Sequence, residues 1–293
     1  EDLAHVKVLI AERVRDGGTL VLNADDPWVR CLVDRPRVRA EQKRIVWFSL
    51  ESDNPVITAH LARGGTAYVV EDGWLVQAVG ARRILLVRVA ELPGAFGGAA
   101  GFTAANTLAA VAAARAMGAT HEVVLDRLAD FEPRRDNPGR GTLVRHGDVH
   151  LFVDYAHNPA ALAAVIRTLH RLWGPQRCVA AVTLPGDRRD DLIAASAQVI
   201  ADGFTRVVLY DDDDLRGRAP GEVSALVARE VKGRRPQIRS ERAVGVRGAV
   251  DAALRMAAPG DVVLVLYEKV EEVLALLDEL GAVPAEAALV LSS

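Results

Sequence analysis

Cysteine is nearly absent: Cys31 and Cys178 are the only two in 293 residues, and they match no metal-ligand spacing. That excludes a disulfide scaffold and a thiolate metal site, and it suits a reducing compartment. An excess of either charge is also lacking. Lys and Arg number 36 against 39 Asp and Glu, for a formal net charge of -3. There is accordingly no electrostatic case for a nucleic-acid or membrane-surface partner. No apolar run approaches the roughly 20 residues of a membrane helix, and nothing at the start reads as a signal peptide, so a cytosolic, cytoplasmic protein is the expectation. The chain also contains no G-x-x-x-x-G-K-[ST] phosphate loop, no persuasive Ser-His-Asp or Cys-His arrangement, and no repeat of fixed period. What remains is a globular balance of 50% hydrophobic and 26% charged residues, in a length that suits one large or two ordinary domains.

The first residues, "EDLAHVKVLIAERV", read as a helix already under way. "TLVLNADD" is a short strand ending in Asn23, Asp25 and Asp26, and Pro27 then sits at a first helical position. "RIVWFSL" predicts a buried strand. "TAYVVED", "GWLVQAVG" and "ARRILLVRVAEL" predict a small antiparallel meander with Asp-Gly and Gly-Ala-Arg turns. "FTAANTLAAVAAARAMG" and "HEVVLDRLADF" predict helices, the first closed by Gly118. "EPRRDNPGRG", residues 132–141, reads as a linker. Beyond it "TLVRHGDVHLFVDYA" predicts a hairpin. Strands "CVAAVTL", "RVVLY" and "DVVLVLY" then alternate with helices over about 159–173, 189–201, 220–231, 245–257 and 269–280. Such alternation predicts an α/β, Rossmann-like, doubly wound and mostly parallel sheet.

In such sheets ligands bind outside the carboxyl ends of the strands. Those exits carry Asp154, Tyr155, His157 and Asn158; then Pro185, Gly186, Asp187, Arg188 and Arg189; then Asp211 to Asp214, Arg216 and Arg218; and last Tyr267, Glu268 and Lys269. Structural readings compete at each. Asn158 before Pro159 is a good helix cap, and Asp154 with His157 could tie down the same turn. Adjacent arginines at a helix start oppose its dipole, which an anion there would offset. Arg216 and Arg218, interleaved with Gly217, suit carboxylate recognition, although a run of acids is usually a solvated loop. Asn106, inside an alanine-rich helix, either bonds locally to backbone or reaches a ligand such as a purine edge. His60 reads as structural.

Taken together, "NADDP" at 23–27, "FTAANTLAA" at 102–110, "NPGR" at 137–140, "DYAHNPA" at 154–160, "PGDRRDD" at 185–191 and "DDDDLRGR" at 211–218 resemble the Mur ligase family. Within that family they are most similar to the C-terminal, Mur-like portion of the cyanophycin synthetase branch. The resemblance implies residues 1–136 as the C-terminal part of a Mur-like central ATPase domain and 137–293 as a Rossmann-like C-terminal domain. It implies that ATP phosphorylates a carboxylate and that an amine attacks the acyl phosphate to give an amide. In the cyanophycin branch this is arginine added to the aspartate side chains of a polymer, so ATP, arginine and an aspartate-containing polymer are the implied partners. A homo-oligomer is left open for the full-length enzyme.

By the same resemblance Asn106 would face the adenine. Arg140 and Asp154 would hold ribose or phosphates across an inter-domain cleft lined by His157 and Asn158. Asp187, Arg188 and Arg189 would lie near the reacting carboxylate and amine. Arg216 and Arg218 would read the incoming amino acid's α-carboxylate, and Asp213 and Asp214 would attract a cationic side chain. The family's P-loop and its Mg²⁺ ligands have no counterpart here, which implies a C-terminal fragment of a longer enzyme, inactive by itself, with an ATP-grasp domain and the metal site upstream. Thr103 stands where many Mur ligases carry an asparagine, and Gly141 and Thr142 replace a bulkier pair. Two alternatives stay open: another Mur-type ligase, of cell-wall precursor or folylpolyglutamate synthesis, or a non-catalytic ligand-binding module.

Overall fold

The computed structural model describes residues 2–40 and 42–285. Residue 1 of the expected opening helix and residues 286–293 of the expected second domain lie outside the described residues. The chain divides into two compact units, Glu1–Phe131 and Glu132–Ser293.

The first unit runs α1 (Asp2–Arg13), β1 (Thr19–Asn23), α2 (Pro27–Arg30), α3 (Pro36–Ala40), β2 (Arg44–Ser49), α4 (Pro55–Ala62), β3 (Thr66–Glu71), β4 (Trp74–Val79), β5 (Arg82–Arg88), α5 (Gly101–Ala116) and α6 (His121–Asp130). Its strands form one five-stranded sheet in that order. The expected meander is β3-β4-β5, and β3 also pairs in parallel with β2, which pairs in parallel with β1. The β3–β4 turn is Asp72-Gly73, both at positive φ, as a tight hairpin turn demands. Strand alternation supplies a core on each face. Ala67 and Val69 join Leu22, Trp47 and Ile57, while Tyr68 between them joins Leu108 and Val111 of α5.

The second unit runs α7 (Pro133–Asp136), β6 (Thr142–His146), β7 (Val149–Asp154), α8 (Pro159–Trp173), β8 (Cys178–Val182), α9 (Asp190–Gly203), β9 (Arg206–Asp211), α10 (Glu222–Arg234), β10 (Arg239–Val244), α11 (Gly245–Met256), β11 (Val262–Leu266), α12 (Val270–Glu279) and β12 (Val283–Pro284). Its seven-stranded sheet has the order β10-β9-β8-β11-β7-β6-β12. β10 through β7 are mutually parallel, while β6 and β12 are antiparallel additions. β8 and β11 are buried along their whole length, as central strands covered on both faces are. Leu151 and Val153 of β7 point into the core under α11 and α12.

Two features differ from the sequence reading. The segment after Phe131 is not a bare linker: the Glu132 carboxylate accepts from the Arg134 and Arg135 N–H groups and caps α7, with Pro133 in its first turn. β10, "RSERAV", is a strand that no alternation announces. It is a mostly exposed edge, so its side chains have no buried face to mark.

The parallel strands bring the carboxyl ends of β7, β8, β9 and β11 to one edge of the second unit. Between β7 and β8 the chain passes over the position that β11 later fills, so β11 marks the topological switch point, where doubly wound sheets bind ligands.

Candidate functional site

At the switch point the loop 137–142 is strapped to the exits of β7 and β11. The Gly139 N–H donates to Thr142 Oγ1 at 2.9 Å, and the Gly141 N–H donates to Asp154 Oδ2 at 2.9 Å. The Tyr267 hydroxyl donates to the Gly139 carbonyl at 3.0 Å. Gly139 has φ +78, and a Cβ there would lie 2.4 Å from the Tyr267 hydroxyl oxygen. Only glycine lets this loop close on β11.

The strap holds Arg140 outward, its guanidinium carbon 4.7 Å from the Tyr155 ring centroid, a cation–π distance. Tyr155 in turn packs at 4.8 Å from the His157 ring and 5.5 Å from the Tyr267 ring. His157 Nδ1 bonds the Tyr155 carbonyl at 2.9 Å. A carbonyl only accepts, so Nδ1 is the donor, which leaves Nε2 for other partners. Asp154 is 7% exposed. Burial raises its pKa, opposed by the Gly141 N–H, Arg140, the Ala156 N–H and His157. Asn158 caps α8, its Oδ1 accepting from the Ala161 N–H at 3.0 Å. That occupies its oxygen and leaves its amide nitrogen for other partners.

A second group spans the exits of β8, β9 and β11. Arg218 is spent within the chain: it donates to the Gly186 and Arg188 carbonyls at 3.0 and 2.8 Å, and to Asp190 and Glu222 at 2.7 and 2.8 Å. It therefore clamps the β8 loop to the start of α10. Arg189 folds back onto Asp191 with two bonds of 3.0 and 2.7 Å; its partner in the dipole conflict is a carboxylate of its own helix. Arg188 is engaged less, reaching Asp187 at 4.0 Å. Arg216 donates to Asp187 and Glu268, and its backbone N–H donates to Asp214. Asp213 and Asp214 lie exposed on the loop. Burial raises the Glu268 pKa; Arg216 opposes the shift, and Asp212, Asp187 and Asp214 reinforce it.

The second unit thus gathers Arg140, Asp154, His157 and Asn158 at one corner, and Asp187, Arg188, Arg216 and Asp214 at another. Tyr155 packs against Arg140, His157 and Tyr267 at the first of these. The sequence placed Tyr267 and Glu268 at a strand exit without giving them a role; their only signal was that position. Asn106 is on the first unit, exposed on α5, with no hydrogen bond from its side chain to the described residues. It does not fold back on its own backbone. His60 is also in the first unit, on α4, its Nε2 buried and without a partner. Among the described residues no group of three or more His, Cys, Asp or Glu side chains is placed to hold a metal ion, and no helix is long and apolar enough to cross a membrane.

Residues 139–266 match the family model described as Mur ligase, glutamate ligase domain. Cyanophycin synthetase of Synechocystis sp. is 35% identical over 94% of this chain and 31% of its own length. That of Trichormus variabilis is 33% identical over 98% of this chain and 31% of its own. The UDP-N-acetylmuramoyl-L-alanyl-D-glutamate–2,6-diaminopimelate ligase of Alkalilimnicola ehrlichii is 35% identical over 59% of this chain and 34% of its own length. The chain therefore spans just under a third of the length of the cyanophycin synthetases it matches. Among solved structures, Mycobacterium tuberculosis folylpolyglutamate synthase complexed with ADP shares the fold, with a TM-score of 0.65 at 18% identity over 97% of this chain and 60% of that one.

Proposed function

Because the chain belongs to the Mur ligase family, we propose that it is the amide-forming part of an ATP-dependent ligase of cyanophycin synthetase type. The γ-phosphoryl group of ATP passes to an aspartate side-chain carboxylate of a polymer, giving ADP and an acyl phosphate. The amine of arginine then attacks the acyl carbon, and phosphate leaves. A free carboxylate is a poor electrophile, and phosphoryl transfer asks for positioning and charge neutralisation more than covalent help.

The observation that carries this reading is the strapped corner at the switch point, where Arg140 is displayed over Tyr155 by a loop tied to Asp154 and Tyr267. A guanidinium held by ring stacking, with its N–H edge free, suits a phosphate. Asp154 positions that loop through the Gly141 N–H. His157 Nε2 and the Asn158 amide line the same corner. Asn106, exposed and unbonded on the first unit, is assigned to the adenine. Arg188, the least engaged cation of its loop, is assigned to the reacting phosphoryl group. Asp187, bonded to Arg216, is assigned to the amino-acid side of the site, and Arg189 is assigned a structural role. Among the described residues no group of three or more His, Cys, Asp or Glu side chains is placed to hold magnesium, and no step is routed through it.

Calorimetry with ADP tests the nucleotide assignment. Arg140→Ala is expected to weaken binding about tenfold or more, the worth of a charge-assisted contact, with a similar fall in kcat/KM for ATP in amide formation. Unchanged affinity in this variant overturns the assignment.

A further inference from the structure

Glu268, at the exit of β11, has a side chain only 4% exposed, and its Oε1 has no hydrogen-bond partner. A buried carboxylate is costly unless opposite charge compensates it. Its other oxygen accepts from Arg216 Nη2, and Arg216 Nη1 reaches Asp187 at 3.3 Å. Arg216 Nε lies 4.0 Å from Asp214. Asp212, its side chain 7% exposed, stands beside them, with Lys269 no nearer than 4.0 Å. Lys269 itself is held by Glu272 at 2.9 Å. The chain's own arginine side chain therefore fills a cradle built from acids.

That arrangement is wrong for reading a carboxylate. An incoming carboxylate would meet Asp187, Asp212, Asp214 and Glu268, and would have to strip Arg216 from a buried partner. A guanidinium meets the opposite field, and the unpartnered Oε1 of Glu268 offers a second acceptor for its fork. Arg216 enters from the β9–α10 loop at φ +46, beside Gly217. The loop is anchored independently through Arg218, so Arg216 can leave without unfolding it.

We propose that the cradle of Glu268, Asp187 and Asp214 is the pocket for the guanidinium of the incoming amino acid, and that Arg216 occupies it as an internal stand-in which the substrate displaces. The identity of the substrate rests on the ligase reading above; the cation preference of the pocket does not. This differs from the expectation that Arg216 holds the α-carboxylate.

Calorimetry on the chain with arginine, agmatine (a guanidinium without the α-carboxylate) and citrulline (the neutral isostere) separates the two. Agmatine and arginine are expected to bind, with citrulline at least about tenfold weaker. Glu268→Gln is expected to weaken agmatine and arginine by a similar factor. Arg216→Gln is expected to tighten both several-fold, because an internal competitor is gone, and agmatine is expected to raise its melting temperature more than that of the parent chain. Loss of arginine but not agmatine binding in Arg216→Gln makes Arg216 the carboxylate reader and overturns the proposal. So does unchanged agmatine affinity in Glu268→Gln, or absence of agmatine binding from both the parent and Arg216→Gln. Melting curves identify a misfolded variant, and Asp187→Asn is then read in place of Glu268→Gln by the same criteria. A parallel ADP titration keeps the readings apart: agmatine binding without nucleotide binding removes the ligase reading alone, and the converse removes the pocket alone.

Discussion

At the scale of single residues, Gly139 shows how little room the strapped corner has. Its φ of +78 disfavours any side chain, and an added Cβ would meet both the Tyr267 hydroxyl oxygen, at 2.4 Å, and Val270 Cγ2, at 2.6 Å. Gly139→Ala therefore combines backbone strain with overpacking and is expected to cost about 2 kcal/mol or more. It should lower the urea midpoint of the second unit at unchanged m-value, and it should weaken ADP binding, because Arg140 is the next residue. A midpoint equal to the parent's would show that the strap yields freely. Tyr267 explains the neighbouring chemistry. Burial pushes its phenol up to about 12, so it remains a neutral donor to the Gly139 carbonyl at any working pH. Arg218 makes the complementary point. Its sequence setting, beside an acidic run and a glycine, suggested a ligand reader, yet its donors are consumed by Gly186, Arg188, Asp190 and Glu222. Sequence shows that a guanidinium is present; only the fold shows whether it is already occupied.

At the scale of elements, local signals were the legible ones. Asn158 before Pro159 predicted the start of α8, and the structure has Asn158 as its cap with Pro159 in the first turn. Asn158→Ala is expected to cost about 1 kcal/mol in urea unfolding of the second unit, with Asn158→Asp retaining most of it; equal midpoints for Ala and parent would deny the cap its role. Capping is legible because it is settled within four residues. β8 and β11 were equally legible, since strands buried on both faces read as unbroken apolar runs. β10 was not, because an exposed edge carries no pattern, and neither was α7, a single capped turn inside a segment rich in Pro, Gly and charge. The meeting of Tyr267 with Gly139, or of Glu268 with Arg216, was beyond any local reading. It depends on β11 entering the sheet between β7 and β8, a pairing of segments more than a hundred residues apart in the first case. The sequence thus marked the exits where chemistry would lie, and the strand order decided which exits are neighbours.

At the scale of the whole molecule, the two units should respond differently to acid. Each holds a histidine with a buried, unpartnered ring nitrogen, His60 in the first and His150 in the second. Burial lowers both pKa values, assisted by Arg63 for His60 and by Arg145 for His150, while the backbone of Thr66 and Ile45 opposes the shift of His60 without reversing it. The unfolded chain, with ordinary histidines near 6.5, then binds more protons than the native one below that pH. The stability these groups contribute is complete above about pH 6.5 and is lost as pH falls toward the depressed native values, at no more than about 1.4 kcal/mol per pH unit for each proton. In the second unit Asp154 and Glu268 act in the opposite sense. Burial raises both, so their contribution is present below the ordinary carboxylate range and lost as pH rises through the raised values. Acidification therefore relieves two buried charges in the second unit while it penalises one histidine; the first unit has the penalty of His60 without that relief. Between pH 6.5 and 5 the first unit is expected to lose stability more steeply. Amide exchange of β1–β3 and of β8 and β11, corrected for the intrinsic pH dependence of exchange, reports the opening free energy of each unit separately. His60→Gln should flatten the slope of the first unit and leave that of the second alone. Equal slopes in the parent chain, or a first-unit slope indifferent to His60→Gln, would mean that these buried groups do not set the acid response.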